Sequence, residues 1–119
     1  MNVVEAVQRA IVAKWTLDES LYFTEAPAGT DAPYAVFFLD GTWNQFFHGF
    51  TLQFNLFHDG RSSEGVNDFA ELVKAAYKGQ ALTVSGFSFV GVVRMKTESI
   101  FKSDSGSWQA TIIFEMTIN

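Results

Sequence analysis

The chain contains no cysteine. Disulfide frameworks, thiolate zinc sites and cysteine nucleophiles are therefore excluded together, and the composition fits a reducing compartment. No apolar run approaches the roughly 18 residues of a membrane span. The opening stretch MNVVEAVQRA carries Glu5 where a signal peptide carries basic residues, so a soluble protein made inside the cell, without a membrane, is expected. Basic charge is scarce and unevenly placed. Between residues 15 and 59 there is no Lys or Arg, whereas Asp18, Glu19, Glu25, Asp31, Asp40 and Asp59 all fall there; residues 60–119 balance. A groove that grips phosphates needs clustered cations to displace counterions, so a nucleic-acid-binding surface is not expected. An acidic stretch is most often a solvated face.

What is present is apolar and aromatic. Hydrophobic residues make up 48% and charged residues 18% of 119 residues, far from the composition of disordered chains. A single domain, 1–119, is expected, burying roughly two-thirds of the surface of its unfolded chain. The 13 phenylalanines exceed what a small two-layer domain readily hides, so some are expected to meet a partner.

Periodicity predicts the elements. Asn2 and Glu5 have the form of a capping box, and Val3, Val4, Val7, Ile11 and Trp15 recur at helical spacing, giving a helix over 2–15. A short strand over 21–24 precedes a loop punctuated by Pro27, Gly29 and Pro33. YAVFFL, 34–39, is apolar on both faces and reads as an interior strand covered on both sides. Asp40-Gly41 is a turn signal, and FTLQFNLF then alternates, with Phe50, Leu52, Phe54 and Leu56 on a core face. Ser62 or Ser63 caps a helix whose stripe is Val66, Phe69, Ala70, Val73, Ala76 and Tyr77, ending at Gly79. A short strand ALTV, a turn at Ser85-Gly86, a long strand over 87–101 with Gly91 at a bulge or close contact, the turn SDSGS and the strand WQATIIFEMTI complete the chain. The fold class is α+β: two helices on a mostly antiparallel β-sheet, in the order α-β-β-β-α-β-β-β.

Catalytic apparatus is not evident. If residues 48–58 form one strand, His48 and His58 lie roughly 33 Å apart and cannot share an ion within one chain. His58 and Asp59, as neighbours, project to opposite faces, and a surface histidine beside a turn is the better reading. GxSxG is missing, and GFSFVG flanks a β-alternating segment where a phosphate cradle needs a loop opening onto a helix. No catalytic residue, metal or cofactor is expected. The segment TWNQFFHG leaves Trp43, Phe46 and Phe47 as core residues or as an aromatic cluster of the kind that dominates subunit contacts.

The order of an N-terminal helix, APYAVF, a strand closing on FNLFHD, the capped helix FAELVKAAYKG and a C-terminal hairpin with SGSWQATIIFEMTI resembles the small tail-terminator or tail-completion proteins of long-tailed bacteriophages over residues 3–118. That resemblance implies a minor tail protein in the virion tail, made in the bacterial host cytoplasm. It implies a homo-oligomer, a hexameric ring, that caps the tail tube and joins it to head-completion proteins while DNA passes through without specific binding. Each subunit of a cyclic ring uses two different patches. The arm with Trp43, Phe46 and Phe47 is expected to supply one, and Arg61, near the helix corner, to answer a carboxylate on the neighbour. The alternative is a small cone-shaped α+β ligand-binding protein or enzyme with a Phe-lined pocket, using His48, His58 and Asp59; a plain dimeric interaction domain shares the same features.

Overall fold

A computed structural model of the chain describes residues 3–43, 48–86, 91–103 and 106–118. The elements are α1 (Val3–Lys14), β1 (Ser20–Phe23), β2 (Tyr34–Trp43), β3 (His48–His58), α2 (Glu64–Tyr77), β4 (Arg94–Lys102) and β5 (Trp108–Ile118). The five strands form one sheet in the order β1-β2-β3-β5-β4. Only β1 and β2 run parallel; the other neighbours are antiparallel. The α+β class and the placement of both helices are therefore as the periodicity predicts.

Period-two alternation decides which side of the sheet the helices cover. Ala35 and Phe37 of β2, Phe50, Leu52, Phe54 and Leu56 of β3, and Ala110, Ile112, Phe114 and Met116 of β5 are buried with Val7, Ile11, Val66, Phe69, Val73 and Tyr77 of the helices. Phe54 sits at the centre of this layer. Its ring contacts Trp15, Phe37, Tyr77 and Phe114 at centroid separations of 4.9–6.1 Å. Burying a side chain of this size contributes about 2–3 kcal/mol, so the sheet and both helices share one core.

Four expectations need correction. Residues 81–84 are not a strand: the backbone there forms no ladder, Gly79 and Gln80 pair instead with Val93, and Leu82 and Val84 are buried as apolar hooks. Asp40 and Gly41 do not turn the chain but continue β2, opposite Thr51 and Phe50. The Phe50 ring packs on Gly41 so closely that a β-carbon there would lie only 3.0 Å from Phe50 Cε1, the cross-strand covering of a glycine by an aromatic. The connection from β2 to β3, residues 44–47, lies outside the described residues. YAVFFL is covered by helices on one side only. Finally, residues 91–93 of the long strand expected over 87–101 are not strand, β4 running Arg94–Lys102 with its irregularity between Met95 and Thr97; Gly91 does make a close contact, against Thr117.

At the helix ends the chemistry is local. Gly79 takes φ +74 after α2, the left-handed conformation that glycine adopts without strain. Ser63 precedes α2 without a side-chain cap; Ser62 Oγ accepts from the Glu64 N–H at 3.4 Å. Asn2, the expected cap of α1, is outside the described residues.

Candidate assembly surface

The strands place a second set of side chains on the sheet face opposite the helices. Rows across it read Tyr34, Phe57, Gln109, then Val36, Asn55, Thr111, then Phe38, Gln53, Ile113, then Asp40, Thr51, Glu115. The first row is aromatic. Tyr34 stacks on Phe57 at 4.8 Å between centroids, and Tyr22 of β1 meets Tyr34 edge-on at 6.1 Å. Phe38 and, on β4, Phe101 remain 36% and 43% exposed, which is unusual for phenylalanine in a chain that has a core to bury it in. Between them polar side chains bond to one another: Asn55 Oδ1 accepts from Gln53 Nε2 at 3.0 Å and from Thr111 Oγ1 at 3.1 Å.

The loop after β1 overhangs the aromatic end. Thr24 turns it with φ 66, a strained value for a β-branched residue, and residues 24–30 enclose with Tyr34, Val36, Phe38 and Phe57 an open cleft of about 390 Å³. A surface of this kind, with exposed rings beside a recess, fits another protein's side chains better than it fits water. Among the described residues no group of His, Asp and Glu has the geometry of a metal site.

The charged residues are distributed by strand. On β4, Arg94, Lys96 and Lys102 are exposed. Glu98 of the same strand is taken by Lys74 of α2 at 2.7 Å, and Lys74 also holds Glu71 at 2.6 Å. Hydrogen bonds donated to Glu71 first, then to Glu98, raise the Lys74 ammonium above its ordinary range. At the other edge, Asp18, Glu25 and Asp31 are exposed around β1.

Of the sequence-predicted interface residues, Trp43 and Arg61 fall at opposite ends of β3. Trp43 ends β2 opposite His48; its side chain, and all of Phe46 and Phe47, lie outside the described residues. Arg61 is exposed just beyond the far end of β3. An 11-residue strand separates the two places, roughly 33 Å at 3.3 Å per residue, so they can belong only to different patches. His58 is not a free surface group. Its Nδ1 accepts from the Gly60 N–H at 3.0 Å, and its ring fills the space where Gly65 lacks a side chain, bracing the corner from β3 into α2. The space between helices and sheet at Phe54, where the alternative reading seeks a Phe-lined pocket, is packed with rings. The aromatic outer rows were missed by sequence reasoning; the signal was the second face of YAVFFL, with Tyr34, Val36 and Phe38 in alternation.

No protein-family model matches the chain, and no curated protein sequence matches it. Solved structures do. A chain of the virion of a native gene transfer agent particle superposes with a TM-score of 0.79 at 13% identity, over 98% of this chain and 96% of its own. A second solved chain superposes with a TM-score of 0.73 at 11% identity, over 98% and 95%. The chain therefore shares the fold of that virion component from end to end.

Proposed function

We propose that the chain is a structural subunit of a phage-type virion, and within it a tail terminator or completion protein that assembles as a ring, caps the tail tube and joins it to head-completion proteins. The observation that carries this reading is the end-to-end likeness to a chain of a gene transfer agent virion, with no large insertion on either side to house a different activity. The outer face adds to it: Phe38, which lines the cleft, and Phe101, on the same face at the β4 edge, are exposed rings that suit protein contacts. The absence of Lys and Arg between residues 15 and 59 suits a ring through which DNA passes without being held.

The test is disruption of the gene in a cell that produces the particle, followed by electron microscopy. Tails of uncontrolled length, separated from filled heads, are expected. Normal joined particles would contradict the proposal, and restoration of tail length by the chain supplied from a plasmid would complete it.

A further inference from the structure

We infer that the two edges of the sheet are complementary docking surfaces for one another, so that the basic β4 edge of one copy receives the acidic β1 edge of the next. This rests on the assembly reading above and names the contact that would carry it.

An edge strand exposes unpaired backbone N–H and C=O groups and is a template for another chain unless it is shielded. β4 is such an edge, nine residues long and exposed along nearly its whole length. Met95 and Phe101 give it apolar surface at 37% and 43% exposure. Its charge is cationic in effect. Glu98, the one carboxylate on the strand, is held inside the chain by Lys74, while Arg94, opposite Glu115 of β5, and Lys96 and Lys102 are exposed. Lys96 sits at the irregularity where β4 loses register with β5, so that residue has no partner in the ladder.

The opposite edge has the opposite sign. β1 is bounded by Asp18 and Glu19 before it and Glu25 after it, with Asp31 ahead of the β2 residue that pairs with Ser20, and no Lys or Arg falls between residues 15 and 59. β1 is also the other end of the strand order. Two edges of one sheet with opposite charge cannot satisfy each other within a chain, because three strands lie between them. Between copies they can, head to tail. Such a contact is heterologous and propagates into rings or filaments, whereas pairing β4 with β4 or β1 with β1 sets like charges side by side.

The absence of cysteine makes the test clean. Ser20 of β1 and Ser99 of β4 are exposed and on the outer face, opposite Tyr34 and Thr111. The double variant Ser20→Cys/Ser99→Cys, treated with a short bis-maleimide, is expected to give a ladder of covalent multimers, while either single variant stays monomeric on a denaturing gel. Charge reversal of one edge, Arg94→Glu/Lys96→Glu/Lys102→Glu or Asp18→Lys/Glu19→Lys/Glu25→Lys, should weaken self-association about tenfold or more. Mixing the two reversed chains should restore it, and reversal of Asp68 on α2 and Lys78 at its C-cap should change nothing. Equal cross-linking in the single variants would overturn the inference, as would a double variant that stays monomeric. Rings formed by the double variant as by the wild type, but without β1-to-β4 cross-links, would refute this contact and leave the virion reading standing. Cross-linked chains that never join a tail would refute the virion reading and leave the contact standing.

Discussion

The Tyr77 hydroxyl, at the end of α2, donates a 2.7 Å hydrogen bond to the Ile11 carbonyl in the last turn of α1, across 66 residues of sequence. The carbonyls of a last helical turn have no partner within the helix. Here a buried phenol from the second helix provides one, which fixes the two helices relative to each other over the Phe54 layer. Tyr77→Phe leaves the Ile11 carbonyl buried and unpaired and should cost about 1–3 kcal/mol, read as a shifted urea midpoint with unchanged slope.

Alkaline pH should expose the same bond. Burial pushes the Tyr77 phenol well above its ordinary value of 10.0. The unfolded chain therefore releases this proton as the pH passes about 10 while the folded chain keeps it, so stability is complete below that value and falls above it. Lys74, raised by Glu71 and Glu98, loses stability in the same alkaline direction. Urea melts between pH 8 and 11 should show a decline in the wild type that is shallower in Tyr77→Phe. Parallel curves would refute this role for the phenol.

Gly65→Ala tests the brace at the β3–α2 corner. Alanine favours a helix over glycine by about 1 kcal/mol, so helix propensity alone predicts stabilisation. The His58 ring occupies the space of the new methyl and is held by Gly60, so destabilisation of about 1–3 kcal/mol is expected instead. In His58→Ala/Gly65→Ala the conflict is gone, and much of the loss should return. A double-mutant cycle by chemical denaturation measures the coupling.

The outer face should separate assembly from folding. Phe38→Asp and Phe101→Asp alter side chains that are largely outside the core. Thermal midpoints are expected to change by only a few degrees, while self-association, followed by sedimentation velocity, should weaken strongly. A fall in stability matching that of Phe54→Ala, for which about 3–5 kcal/mol is expected, would place these rings in the core after all.

Much of this fold was legible because one physical rule governed it. Where a single face is buried, as in β3, β5 and α2, period two or period 3.6 names the core residues directly: Phe54 with Ile112, Val66 with Val73. The rule gave wrong answers where local chemistry had a tertiary cause. Asp40-Gly41 has the composition of a turn, but Gly41 is small because Phe50 lies on it, a fact that depends on cross-strand register. Leu82 and Val84 alternate like a strand, yet they are anchored through Val93 without a ladder. The proposed assembly surface was harder still. Nothing local reveals that Glu98 is held by Lys74, 24 residues earlier in the chain, or that β1 and β4 end up at opposite edges. Trp43 and Arg61 were assigned separate roles in the contact by chemistry alone, and the length of β3 sets them at opposite ends of the sheet.

The central claim is that this chain works by fitting against copies of itself and other virion proteins. Native mass spectrometry of the purified chain, alone and after incubation with tail tubes from the particle that encodes it, tests that most directly. The account predicts a closed species of six 13.3 kDa chains, free or seated at one end of the tube. A compact dimer or monomer that ignores the tubes and carries a bound small molecule would contradict it.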